Sequence, residues 1–373
     1  MSDRDTDTDC VVIGAGVMGC SIALRLAQAG VRTTVLERSI PGAEASSAAA
    51  GILAAQEESE GPGPLTTLSL ASRARFAALA EELRELTGID IAYRKVGVLS
   101  LAASEDDEHR LERRYAWQRQ ANLPLTWLRG AELAALEPHL APTWRSGLYF
   151  PDDHQLDPRP YARALSQAAA RAGARFVTGA YVRRVLHDAT RVHGVELDGE
   201  RISAAHVVIA AGSWSSLIEG TSLPAAAVKP VRGQIVLLET RPPALRGTVV
   251  SPGGYVVGRA DGRVLAGSTM EHAGYDKSVT AGGLAHVLGL ALAIAPSLAA
   301  APVIETWANF RPTTDDHLPI LGESAIAGLV FATGHFRNGI LLSPITGEIV
   351  RDIVTRGSAH YDAEAFSPAR VMH

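Results

Sequence analysis

The chain has 373 residues, 47% hydrophobic and 20% charged, which suits two domains, or one large domain with a long insertion, and excludes a disordered chain. Net charge is −5, and Lys95, Lys229 and Lys277 are the only lysines among 35 basic residues spread along the chain, so no basic stripe exists for a nucleic acid. Two cysteines, Cys10 and Cys20, cannot build a disulfide framework and no Cys/His grouping has zinc spacing, so a reducing, cytoplasmic compartment and no metal are expected.

Met1 to Asp9 is polar and acidic where a secretory signal needs a basic end and an apolar stretch, and it reads as a short frayed terminus. Cys10-Val11-Val12-Ile13 predicts a strand buried on both faces, leading into Gly14-Ala15-Gly16-Val17-Met18-Gly19. A helical pattern runs from Val17 to Ala29, Gly30 closes it, and a second strand, Arg32 to Leu36, ends at Glu37. Strand, glycine loop, helix, strand and terminal acid follow the order of a dinucleotide-binding unit. Gly14 permits the tight turn, Gly16 lets the backbone approach a pyrophosphate, and Gly19 lets helix and strand pack closely. The helix start at Val17 and Met18 offers N–H groups to phosphates. Glu37 is placed to accept from a ribose diol; Arg38 beside it hints at a 2′-phosphate, but the acid is the stronger signal.

Where a nicotinamide enzyme would continue with another βα unit, this chain reads Ser46-Ser47-Ala48-Ala49-Ala50-Gly51-Ile52-Leu53. Small residues there let backbone pack against a large planar ligand, with Ser46 and Ser47 as phosphate donors; an ordinary Ala-rich helix start explains the run equally well. Asp152-Asp153-His154 lacks partner ligands and reads as a loop. Residues 174 to 200 predict short strands split by turns, and 207 to 212 a buried strand, which makes a β-meander feeding a parallel sheet. Gly233–Glu239, Thr248–Ser251, Tyr255–Gly258 and Arg263–Ala266 predict an antiparallel sheet, the last two joined by the turn Ala260-Asp261-Gly262.

From Ser278 to Ile304 there is no charged residue. The helical part, Gly282 to Ala295, would be about 21 Å long at 1.5 Å per residue, short of a hydrocarbon core of roughly 30 Å, and Pro296 ends it. A buried helix is expected there, not a transmembrane segment. Asp315-Asp316-His317 again reads as a loop. Gly328–Ala332 predicts a strand, Thr333–Asn338 a loop and Gly339–Val354 a helix whose first turns tolerate Pro344. No second glycine fingerprint follows, so NAD(P)H has no place of its own and electrons should come from an organic substrate.

Five stretches carry a resemblance: Val12-Ile13-Gly14-x-Gly16-x-x-Gly19, Ser47-Ala48-Ala49-Ala50-Gly51, Val207-Val208-Ile209-Ala210-Ala211-Gly212-Ser213-Trp214-Ser215, Arg311-Pro312, and Gly334-His335-Phe336-Arg337-Asn338-Gly339-Ile340-Leu341-Leu342. Over nearly its whole length the chain resembles the D-amino-acid oxidase family of FAD-dependent amine oxidases, most closely the glycine oxidase group of the thiazole (thiamine) pathway. The resemblance implies an α/β fold: a Rossmann-like FAD-binding domain, a parallel sheet with a β-meander, from residues 1–85, 151–220 and 311–373. An antiparallel-sheet α+β substrate domain would come from 86–150 and 221–310.

It also implies non-covalent FAD, with Val182 at the adenine end and Ala211, Gly212 and Trp214 along the cofactor. His335, Phe336, Arg337, Asn338, Gly339, Ile340 and Leu341 would bring a helix N-terminus to the pyrimidine edge of the flavin, where reduction places negative charge. Arg311 would grip a substrate carboxylate bidentately, Tyr255 would hydrogen-bond the same group, and Arg337 would be a second arginine at the flavin. Gly51, Met270 and Trp307 are pocket candidates, though residues such as Met270 and Trp307 are more often simply core. Gly253 departs from the family, whose close members carry a histidine two residues before the tyrosine, so a strict glycine preference does not follow.

The implied reaction is hydride transfer from the α-carbon of a small amino acid or amine to flavin N5, hydrolysis of the imine, and reoxidation by O2 to H2O2, in a homo-oligomer, dimer or tetramer. Its rivals are a D-amino-acid dehydrogenase feeding a membrane quinone, a sarcosine-type oxidase whose flavin is attached through a late cysteine, and a non-catalytic dinucleotide-binding module. Both cysteines lie too early in the chain for the second.

Overall fold

Strand Cys10–Ile13 is apolar at every position because it runs through the middle of a sheet covered on both faces. Cys10 and Val12 point into one core with the helices, while Val11 and Ile13 point into another on the opposite side, as the two-residue strand period requires. The computed structural model describes residues 8–372 and orders this sheet as Ile320–Glu323, Leu329–Thr333, His206–Ile209, Cys10–Ile13, Thr33–Glu37 and Arg175–Thr178. All neighbours are parallel except the first pair. Helices Val17–Gln28, Pro158–Arg171 and Gly339–Arg356 cover one face. The expected meander, Arg184–His187, Val192–Glu196 and Arg201–Ser203, packs on the other.

Two backbone contacts set the height of the first helix on the sheet. Gly14 has φ +100°, and a Cβ there would lie 2.6 Å from the Ala210 carbonyl oxygen of the adjacent strand. A Cβ on Gly19 would collide with the Gly14 carbonyl oxygen, so helix and loop touch backbone to backbone. On its far side, Ser21 meets Gly347 of the C-terminal helix, where a Cβ would lie 2.7 Å from the serine hydroxyl.

A second sheet of eight strands runs Val303–Thr313, Lys229–Glu239, Arg263–Gly267, Gly254–Gly258, Thr248–Ser251, Val98–Ala102, Ser146–Phe150 and Thr126–Leu128. Its pairings are antiparallel except for Thr248–Ser251 with Val98–Ala102. All four expected strands are present. Val303–Thr313 continues unbroken past residue 311 in register with Lys229–Glu239, so Arg311 stands in this sheet.

Three expectations need correction. The uncharged helix, Ala281–Ile294, is buried along one face only, through Val287, Ala291 and Ile294, while Leu292 is 37% exposed. No helix among the described residues is long and apolar enough to cross a membrane. Of the supposed frayed terminus, Met1 to Asp7 lies outside the described residues, but Asp9 is tied to the sheet by an ion pair with Arg32 at 2.6 Å. The Asp152–His154 segment is more than a loop: Asp153 is fully buried, accepts from the backbone N–H groups of Gln56 and Glu57, and pairs with Arg73 at 2.6 Å, while His154–Gln155 pairs with Ile52–Leu53.

Gly19 and Gly30 should therefore respond differently to alanine. Gly19→Ala must displace backbone and should cost about 3 kcal/mol or more. Gly30, at φ +80° with nothing near its Cβ position, should lose about 1 kcal/mol from backbone strain alone. Urea unfolding of both variants measures the order; equal losses would contradict the close contact at Gly19.

Candidate active site

A cavity of about 730 Å³ is walled by the strand ends of the parallel sheet on one side and by the antiparallel sheet on the other. Of the residues expected at a cofactor, Gly14, Gly16, Val17, Met18, Glu37, Arg38, Ser46, Ala49, Ala50, Gly51, Ile52, Val182, Ala211, Gly212 and Trp214 border it. So do His335, Phe336, Arg337, Asn338, Gly339 and Ile340 from the C-terminal segment. Arg311, Tyr255 and Met270 border it from the antiparallel sheet and its following loop.

Four expected residues stand behind the wall. Gly19 serves the packing just described. Ser47 donates to the Glu44 carbonyl at 3.3 Å, and the Leu53 and Leu341 side chains lie in the hydrophobic core. Trp307 also misses the cavity; its indole N–H is spent on the Ala48 carbonyl at 2.9 Å.

The nucleotide end has the features of an anion cradle. The helix starting at Val17 has no side-chain cap at Gly16 and no acid in its first turn. Ser46 Oγ accepts the Val17 N–H at 2.9 Å, which leaves its own proton for an acceptor in the cavity. Glu37 is held at the rim, Oε2 accepting from Ala15 N–H at 2.9 Å and Oε1 from Ser39 N–H at 2.8 Å, each oxygen keeping a second lone pair. Arg38 lies 3.8 Å over the Trp214 ring and pairs with Glu44 at 2.7 Å, so it is engaged within the protein and the hint of a 2′-phosphate falls away. At the other end, the helix Gly339–Arg356 likewise begins without a side-chain cap or an acidic first turn. Phe336 before it holds φ +45° and stacks on His317, an uncommon conformation of the kind that clusters at functional sites.

Opposite, the side chains are set by what the glycines leave open. A Cβ on Gly233 would sit in the Arg311 guanidinium, and one on Gly267 would lie 2.7 Å from the Tyr255 ring. Arg311 is desolvated, which lowers its pKa; it donates to the Thr269 carbonyl at 3.2 Å and to Ser268 Oγ. Arg337 pairs with Glu58 at 2.7 Å, and Glu58 raises the arginine's pKa while burial raises its own.

Sequence reasoning missed this acidic lobe, in which Glu57, Glu58 and Glu60 line the cavity with Arg114 of the helix Glu105–Gln120, which pairs with Glu57 and Glu60. The run Glu57-Glu58-Ser59-Glu60 was its one signal. His286 borders the cavity from the helix whose Leu290 packs 3.7 Å from the Cβ position of Gly253. Among the described residues no group of three or more His, Cys, Asp or Glu could hold a metal ion.

The family model for FAD dependent oxidoreductases of the D-amino-acid oxidase type matches residues 9–353. The chain belongs to that family. A glycine oxidase of Geobacillus kaustophilus is 39% identical over 365 residues, covering 97% of each chain. The crystal structure of glycine oxidase from that organism superposes with a TM-score of 0.93 at 38% identity, covering 96% of this chain and 98% of that one. The bifunctional protein ThiO/ThiG of a Synechocystis species is 34% identical over 98% of this chain, which spans 54% of it.

The protein is thus an FAD-dependent oxidoreductase acting on the C–N bonds of amino acids or amines, and a non-catalytic nucleotide module is excluded. The residues present fit the cofactor: two uncapped helix starts, an acid at a strand end beside the cavity and a groove of small side chains.

His335 marks the floor of this site. It is buried, with Nε2 3.2 Å from Thr346 Oγ1, and burial pushes its pKa down to about 3. The unfolded chain would bind that proton near pH 6.5, so the neutral ring's stability is complete above pH 6.5 and is lost as pH falls toward 3. His335→Gln should therefore lose less stability than the parent between pH 7 and pH 5, by about 2 kcal/mol. Urea unfolding at the two pH values checks this; parallel losses would refute it.

Proposed function

We propose that the protein oxidises glycine, or another small substrate such as sarcosine or a small D-amino acid, to the α-keto acid. Glycine would give glyoxylate, with ammonia or an amine and H2O2 released. The observation that carries the reading is Arg311: a desolvated guanidinium held by Ser268 and Thr269 at the cavity wall beside Tyr255. A guanidinium and a phenol presented together suit a carboxylate, and holding the carboxylate sets the α-carbon in one orientation.

FAD, when bound, would supply the redox chemistry, as acceptor of a hydride from the α-carbon and donor of those electrons to O2, which takes up a further proton to leave as H2O2. The chain's part is binding: Tyr255 and Arg311 would orient the substrate, and the Arg337–Glu58 pair lines the same cavity. At Gly253 a Cβ would meet only Leu290 within 4 Å, which leaves room for a substituent and supports a preference broader than glycine. Similarity to ThiO/ThiG supports a supply role in thiazole synthesis. Two free, buried cysteines suit a reducing cytoplasm, and the family resemblance supports a dimer or tetramer.

A quinone acceptor is the second reading, favoured by the uncharged, half-exposed helix Ala281–Ile294. Peroxide formed in air in step with substrate loss decides for oxygen. Arg311→Met should raise KM for glycine about 100-fold, the worth of a charge-assisted pair, with FAD content unchanged. Unaltered glycine kinetics would remove Arg311 from substrate binding.

Cys10 and Cys20 are buried away from the cavity and burial raises both thiol pKa values, so neither is suited to a flavin linkage. Acid precipitation should release FAD intact into the supernatant. A yellow pellet would show a covalent bond.

A further inference from the structure

Strand Gly254–Gly258, which carries Tyr255, ends in a turn where an arginine normally points to solvent. The turn is closed by its own backbone: Arg259 N–H donates to the Arg263 carbonyl at 2.8 Å, and Gly262 N–H donates to the Arg259 carbonyl at 3.1 Å. Yet Arg259 is 4% exposed. Its Nη2 donates to the Ala50 carbonyl at 2.5 Å, while Nε and Nη1, both buried, have no hydrogen-bond partner.

No carboxylate among the described residues pairs with it. Asp157, whose field acts on it most, is engaged by Arg263 at 2.8 Å and by capping the helix Pro158–Arg171. Burial, with repulsion from Arg263 and Arg94, brings its pKa down to about 10, so it remains a cation at neutral pH. A buried cation without an ion-pair partner is expensive, and the turn gives no reason to keep one.

The bond to Ala50 supplies a reason. Ala50 is 8% exposed, borders the cavity between Ala49 and Gly51, and packs in the apolar cluster that includes Ile52, Ile235 and Tyr255. The guanidinium therefore lies one carbonyl behind the cavity wall, at the end that bears Tyr255, shielded from solvent and opposed only by the fields of Asp157 and Asp261, both engaged by Arg263. We propose that Arg259 is a positioning residue for the cofactor, fixing the Ala50–Gly51 wall through the Ala50 carbonyl and favouring the reduced, negatively charged flavin by its buried charge. Charge near the ring is one of the means by which a protein tunes a flavin, and a low-dielectric wall transmits it.

Two variants separate charge from hydrogen bond. Arg259→Gln keeps a donor without charge, and Arg259→Lys keeps the charge. The readout is the two-electron midpoint potential of the bound FAD in the holoprotein, by equilibration with a reference dye, with FAD content and thermal unfolding measured alongside. Arg259→Gln should lower the potential by about 30 mV or more, equivalent to a tenfold loss of preference for the reduced cofactor, and Arg259→Lys should stay near the parent. A parent-like potential in Arg259→Gln overturns the charge role. Should Arg259→Gln not retain FAD, Arg259→Lys decides alone: a parent-like potential supports the proposal, and a drop of about 30 mV refutes it.

Discussion

The backbone contact between Gly14 and Gly19 is the constraint on which the rest of the molecule depends. With no Cβ at either position, the first helix sits on the sheet at backbone distance, and its uncapped N-terminus opens at the end of the parallel strands. The C-terminal helix is then set against the first through Ser21 and Gly347, which brings a second uncapped N-terminus, preceded by Phe336 and Arg337, to the same cavity. A methyl group at Gly19 would therefore disturb both ends of the cofactor site, although Gly19 does not border it.

The antiparallel sheet repeats the device with side chains in place of backbone. Gly233 opens the space for Arg311 and Gly267 the space for Tyr255. Each polar group is thereby half-buried and held toward one orientation. Arginine tolerates this because it stays charged when desolvated, and its hydrogen bonds to Ser268 and Thr269 offset part of the cost.

Much of the cofactor end was legible in the sequence because its determinants are local. A turn requiring positive φ, a helix start and an acid at a strand end each lie within a few residues of one another, and the structure places Gly14, Gly16, Glu37 and Ser46 together at the cavity. The misreadings arose where a local pattern has two outcomes. Ser46 and Ser47 are adjacent, but successive side chains on a helical turn diverge, so Ser46 faces the cavity while Ser47 bonds back to Glu44. Leu53 and Leu341 follow cavity residues in sequence and point the opposite way, into the core. Ala281–Ile294 is apolar at every position but His286 yet buried on one side, because composition carries no face when nearly every position is apolar.

The chain's sequence by itself determined the βαβ unit and the family, since short-range spacing and distinctive residue types encode them. Tertiary structure alone decided what meets across the cavity. Arg337 finds Glu58 across 279 positions of chain, and Arg259 reaches the Ala50 carbonyl across 209. Tyr255 and Arg311 reach one wall only because their strands lie in the same sheet, with Arg263–Gly267 and Lys229–Glu239 between them. Such meetings depend on strand order and on space left by distant glycines, and neither leaves a periodic or compositional trace in the chain.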